Sequence, residues 1–236
     1  MKHILPLLMF SFFLSAAHAQ KTINDPNVEA REAKGFHAIE VSGGIDLYLS
    51  YGEEAIAVSA KDLSTRDRIK TEVKDGVLKI YYDRKDGVKF AINKNMRAYV
   101  SYKTLNRLSA SGGSDILVDG TIQQPALHVS VSGGSDFNGR VEVDKLKVVL
   151  SGGSDMNVSG FAKDLVVEAS GGCDVDGYGL VTETCNASAS GGSDISITVN
   201  KELSAEASGG SDVNWKGSAT VKKVMASGAG SVSHRS

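Results

Sequence analysis

The segment Ser111-Gly112-Gly113-Ser114-Asp115 is echoed from Ser132, Ser151, Ser170, Ser190 and Ser208, and a degraded version, Ser227-Gly228-Ala229-Gly230-Ser231, closes the series. The openings are 21, 19, 19, 20, 18 and 19 residues apart. A period of that length belongs to stacked-coil architectures, in which each repeat buries its apolar face only against its neighbours. The same regularity fills the positions where a unique site would otherwise stand out.

Aligned on the opening serine, the repeats show alternating apolar columns. Five residues before it stand Leu127, Leu146, Leu165, Cys185 and Leu203. Three before stand Leu108, Val129, Val148, Val167, Ala187, Ala205 and Val224, and one before stand Ala110, Val131, Leu150, Ala169, Ala189, Ala207 and Ala226. The intervening residues, among them Arg107, His128, Lys147, Glu168 and Glu206, are polar and face water, as a period of two requires. A further apolar column, Ile116, Phe137, Met156, Val175, Ile195, Val213 and Val232, follows five residues after the serine. Each coil therefore supplies at least two short strands joined by a glycine turn. Stacked in parallel about 4.8 Å apart, these strands make an all-β, parallel β-helix with coils of about 19 residues, right-handed because parallel crossovers are. An antiparallel sandwich fits identical side chains at a full-coil period poorly.

Before the repeats the pattern loosens. The first nineteen residues read as a secretory signal peptide: Lys2 and His3, an apolar run from Ile4 to Leu14, and the small-residue exit Ala17-His18-Ala19. The run is too short to span a membrane, and no cysteine near the exit offers a lipid anchor. Residues 20–35 read as a flexible polar leader. Residues 36–105 form an irregular β region that caps the solenoid and continues into residues 106–234, since it carries one early turn, Ser42-Gly43-Gly44-Ile45-Asp46. Strands are expected at Ile39–Ser42, Ile45–Leu49, Ala55–Val58 and Ala98–Tyr102, with a hairpin around Asp75-Gly76 and a helical turn within Asp62–Arg68.

Composition excludes several function classes. The chain has 26 Lys and Arg against 28 Asp and Glu; without Lys2 the count is 25 against 28, a formal charge of −3. That balance offers nothing to nucleic acid or anionic lipid. An exported destination follows: periplasm, outer-membrane surface or medium. Cys173 and Cys185 lie twelve residues apart on one coil, which sets them near opposite sides of its cross-section and leaves them as unpaired, partly buried thiols.

The candidate ligand contacts are the turn residues. Asp115, Asp136, Asp155, Asp174, Asp194 and Asp212 line up along one edge, beside Ser114, Ser135, Ser154, Ser193 and Ser211. Carboxylates about 4.8 Å apart repel by about 3.5 kcal/mol at an effective dielectric of about 20, so turn amides, splaying into water, bound Ca²⁺ or partial protonation must offset the repulsion. Paired glycines expose backbone amides, which Ser and Asp side chains can cap. The calcium repeat Gly-Gly-x-Gly-x-Asp recurs every nine residues and has a further glycine, so capping is placed ahead of calcium and no metal or cofactor is expected. A serine-rich edge also suits water or glycan.

Catalytic patterns are missing from the sequence. His37, His128 and His234 are far apart, and there is no His-Glu-x-x-His, Cys-x-x-Cys, Gly-x-Ser-x-Gly or phosphate loop. Six tyrosines, Tyr48, Tyr51, Tyr81, Tyr82, Tyr99 and Tyr102, cluster in the first part, where they pack the cap or meet a sugar or protein.

The segment from Phe36 to Leu49, the later Gly76–Tyr82 and the Ser-Gly-Gly-Ser-Asp repeats together resemble the putative auto-transporter adhesin, head GIN domain family, over about residues 36–220, with Gly44-Ile45-Asp46 where the family name reads Gly-Ile-Asn. The resemblance implies a right-handed β-helix similar to pectin-lyase-like solenoids without their catalytic residues, an adhesion role, and no active site to carry over. The expected function is a non-enzymatic exported adhesion module contacting a glycan, envelope component or cell-surface protein. A carbohydrate-active β-helix enzyme and a structural envelope spacer are the alternatives. The oligomeric state is left open.

Overall fold

The computed structural model describes residues 25–84 and 95–236, so the expected signal peptide lies outside the described residues. Short strands come first: β1 (Glu29–Arg31), β2 (Ala38–Ser42), β3 (Ile45–Tyr51) and β4 (Ala55–Ser59), then the single-turn helix α1 (Leu63–Arg66). Asp62 caps α1 by accepting the Thr65 N–H at 2.9 Å. Next come β5 (Ile69–Lys74) and β6 (Val77–Tyr82), an antiparallel hairpin turning at Asp75 (φ 52°) and Gly76 (φ 74°). Strands β7 (Met96–Tyr102) and β8 (Arg107–Ser111) lead into the repeats.

From there each strand is nearly a whole coil. β9 (Ile116–Ser132), β10 (Phe137–Ser151), β11 (Met156–Gly171), β12 (Asp174–Gly191) and β13 (Asp194–Gly209) each run from one Ser-Gly-Gly turn to the next. They pair in parallel, and three of the four pairings shift register between the turns while β10 and β11 stay in register throughout. The chain ends in β14 (Asp212–Lys216), β15 (Thr220–Gly228) and β16 (Ser231–His234). The result is a parallel β-solenoid of about seven turns with coils of about 19 residues.

Pairing follows the sequence alignment residue for residue. Leu127, Leu146, Leu165, Cys185 and Leu203 stand opposite one another, as do Val129, Val148, Val167, Ala187 and Ala205. All ten are buried. The early turn at Ser42 stacks on Ser111, so β2 and β3 continue the column through their parallel pairing with β8 and β9. At this end the column is covered: β4 lies antiparallel on β7, β1 on β4, and β5 on β6.

Two expectations need correction. Part of the supposed flexible leader is structured, since β1 pairs with β4 and the Asp25 carboxylate accepts the Ser59 hydroxyl at 2.6 Å while the Asn27 amide donates to the Ala60 and Lys61 carbonyls at 3.1 Å. At the other end the inward columns fail on the last coil. Val224 and Ala226 continue them in register but are exposed, Val224 by 47%, and Val232 is only partly buried, since among the described residues no strand pairs on the far side of β15 and β16.

Candidate functional site

The repeated turn builds two parallel lines of side chains, one inside the corner and one outside. The inner line is Ser114, Ser135, Ser154, Cys173, Ser193 and Ser211, every member 0% exposed. Each side chain accepts the backbone N–H of its counterpart one coil earlier: Ser114 N–H donates to Ser135 Oγ at 2.9 Å, Ser135 to Ser154 at 3.3 Å, Cys173 to Ser193 at 3.2 Å and Ser193 to Ser211 at 3.3 Å. At the first turn Ser114 Oγ accepts from both Gly44 and Ile45. These hydroxyls supply acceptors for N–H groups that the bend takes out of the sheet. The five serines expected as ligand contacts are therefore an internal spine that no outside molecule reaches. In the Ser170 turn Cys173 takes the serine's place, its Sγ accepting from Ser154 N–H at 3.5 Å and its S–H donating to the Ser170 carbonyl at 3.2 Å. A sequence comparison column by column shows that replacement directly.

The aspartates are the outer line. Asp115 Oδ1 accepts Asp136 N–H at 3.0 Å, Asp136 Oδ1 accepts Asp155 N–H at 3.1 Å, Asp155 Oδ1 accepts Asp174 N–H at 3.2 Å and Asp194 Oδ1 accepts Asp212 N–H at 3.1 Å. Asp212 Oδ1 accepts the Ser231 hydroxyl at 2.6 Å. One oxygen of each of these carboxylates thus caps the next coil. The repulsion along the line is still visible. Burial, then the neighbouring Asp155 and Asp194 charges, raise the Asp174 carboxyl above its ordinary range, and burial followed by Asp115 does the same to Asp46 at the head of the line.

Across the paired glycines lies a second external row that the sequence reading passed over: the opening serines Ser42, Ser111, Ser132, Ser151, Ser170, Ser190, Ser208 and Ser227, in register from coil to coil. Alternation alone points these side chains outward, on the opposite side of the sheet from the apolar column one residue before. The corner therefore presents a strip with carboxylates along one margin, hydroxyls along the other and bare glycine backbone between.

Other polar groups are committed locally. His128 sits between Arg107 and Lys147, and burial and those two cations push its imidazole below the usual range. His234 packs on Trp215 with ring centroids 4.1 Å apart. Cys173 and Cys185 are buried and unpaired, and burial between Leu165 and Leu203 pushes the Cys185 thiol up. On the cap, Tyr48 and Tyr99 stack at 5.2 Å and Tyr102 is buried. Arg97 lies 3.7 Å from Asp25 and opposite Asp46. The Asp25 carboxylate is taken up by Ser59 and Asn27, so this cluster pins the N-terminal segment. Among the described residues no group of three or more His, Cys, Asp or Glu is placed to hold a metal, and no helix is long and apolar enough to cross a membrane.

The family model described as putative auto-transporter adhesin, head GIN domain, matches residues 35–219. The chain belongs to that family. The head GIN match ends just before β15, so the exposed last coil lies beyond it. Among solved structures, one described as a putative adhesin from Bacteroides fragilis is similar at 20% identity and a TM-score of 0.81, covering 88% of this chain and 96% of that one. Another putative adhesin, from Parabacteroides distasonis, is similar at 19% identity and a TM-score of 0.70, over 89% and 96%. A protein from the same organism described as a putative lipid binding protein aligns at 19% identity and a TM-score of 0.66, over 90% and 98%. These likenesses establish the fold. No curated protein matches the chain. Family membership gives the head GIN chain an adhesin-like role and an exported or surface setting.

Proposed function

We propose that this protein is a non-catalytic adhesion module that holds an extended neutral glycan along its corner strip. The observation that carries the reading is the strip itself: Asp115, Asp136, Asp155, Asp174, Asp194 and Asp212 on one margin and the opening serines on the other, repeated coil after coil at one spacing. Stacked copies give each residue nearly the same surroundings, which suits many weak additive contacts and not the divergent environments of an acid and a base. Carboxylates and hydroxyls bind sugar hydroxyls by hydrogen bonding, and a line of negative charge disfavours uronic or sulfated polymers.

The test is retention of the purified chain on immobilised neutral and acidic polysaccharides, with and without Ca²⁺, with release of reducing ends scored in parallel. The expected result is retention on a neutral polymer that strengthens with polymer length, is indifferent to Ca²⁺ and releases no new ends. Turnover lost on changing one surface carboxylate would establish an enzyme instead.

A further inference from the structure

In a solenoid, a unique binding site has to sit where the repeat departs from itself. The outward row Gln123, Glu142, Phe161 and Val181 is such a place, because an aromatic ring stands where the two upstream coils carry polar Gln123 and Glu142, with Val181 on the coil downstream. Phe161 is 40% exposed in the middle of the stack, away from both ends. Beside it the chain bends, and a shallow open cleft of about 380 Å³ is lined by Gln123, Gln124, Pro125, Glu142, Asp144 and Phe161. That volume is at the lower end of small-molecule sites, which run from about 300 to 1,000 Å³.

We propose that this cleft is a subsite for one neutral pyranose ring, the face of the sugar lying on Phe161 and its hydroxyls on the polar wall. The proposal rests on the glycan reading above and names the ring that the strip alone cannot select. Three features of the wall carry it. Glu142 is held in place from two sides, by the Gln123 amide donating to Oε2 at 2.9 Å and by Arg140 at 3.7 Å from Oε1. A carboxylate so positioned accepts from vicinal hydroxyls without reordering. Among the described residues the side chains of Asp144 and Gln124 make no hydrogen bond or ion pair, so their acceptors and the Gln124 amide donor are open to a ligand. The Glu142 charge is offset by Arg140, whereas Asp144 has no cationic partner among the described residues and repels a uronate or a sulfated sugar, which selects a neutral one. The exposed aromatic face supplies the apolar contact that a pyranose CH surface matches.

The test is calorimetric titration of the purified chain with neutral tetraoses of glucose, galactose, mannose and N-acetylglucosamine, and with tetragalacturonate. One or more neutral tetraoses should bind and tetragalacturonate should not. Phe161→Ala should weaken binding tenfold or more with unchanged thermal unfolding, Phe161→Tyr should retain it, and Asp144→Asn should weaken it several-fold. Unchanged tetraose affinity in Phe161→Ala, or tetragalacturonate bound as tightly as a neutral tetraose, overturns the subsite. Polysaccharide retention that survives in Phe161→Ala but is lost when Asp115, Asp136 and Asp155 become Asn overturns the subsite and leaves the strip reading standing. Absence of any glycan binding by the parent, tetraose or polymer, overturns both.

Discussion

At Gly44, Gly113, Gly134 and Gly153 the second glycine of the turn has φ between 71° and 78°, whereas at Gly172, Gly192 and Gly210 the same position has left the left-handed region. The first glycine keeps a positive φ in every copy, from Gly43 to Gly228. Hydrogen bonding reverses with the conformation. Upstream, the first glycine donates forward to the opening serine of the next coil, as Gly133 does to Ser151 at 3.3 Å; downstream, the second residue donates backward, as Gly192 does to Gly171 at 2.7 Å. The changeover falls on the coil that carries Cys173. It explains why the last copy can read Gly228-Ala229: a Cβ is tolerated there, because that position no longer needs positive φ. The ends differ in the same sense, the upstream end closed by antiparallel strands and the downstream end open.

The largest effect should separate the covered stack from the open end. Val148 and Val224 occupy one column, 1% and 47% exposed. Val148→Ala should cost about 2 kcal/mol or more through lost burial and a cavity, and Val224→Ala less than about 0.5 kcal/mol. Equal denaturant midpoints for the two variants would show that the last coil is covered.

The glycine comparison should give effects of opposite sign. At Gly134 nothing obstructs a Cβ, so the cost of Gly134→Ala is that of φ 71°, about 1–2 kcal/mol. Gly192 is spared that strain, and Gly192→Ala should be neutral or stabilise by up to about 1 kcal/mol. Similar losses in both would remove the distinction between the two turn forms.

A smaller effect concerns charge. The Asp174 carboxyl titrates above its unfolded value of 3.8, so the folded state takes up the proton first. Its stability contribution is greatest below 3.8 and falls as pH rises through the raised value, leaving the ionised group a net cost at neutral pH. Asp174→Asn should therefore raise the unfolding midpoint slightly at pH 7 and lose that advantage in acid. A lower midpoint at pH 7 would mean that the hydrogen bond from the Asp194 backbone N–H outweighs burial and repulsion.

Much of this was legible in the chain. The period and the alternating columns determine the parallel stack, its register and its core as far as Leu203 and Ala207, because each inward position sees the same neighbours in every coil. The change of turn form was not legible, since Ser-Gly-Gly is compatible with either conformation and stacking decides between them. Nor could composition tell which turn serine is enclosed: Ser114 and Ser111 are alike as residues and differ only in which side of the bend they face. Phe161 was hidden for a related reason, as an aromatic residue in a β pattern reads as core until the alternation is followed through the bend.

The most direct test of the central claim, that repetition along the strip carries binding, is the apparent affinity for a long neutral polysaccharide as ladder carboxylates are converted to amides one, two and four at a time among Asp115, Asp136, Asp155 and Asp194. The account predicts a graded loss, modest for any single Asn and compounding with number, because the contacts add through multivalency. Abolition by one substitution, or unchanged affinity after four, would contradict it.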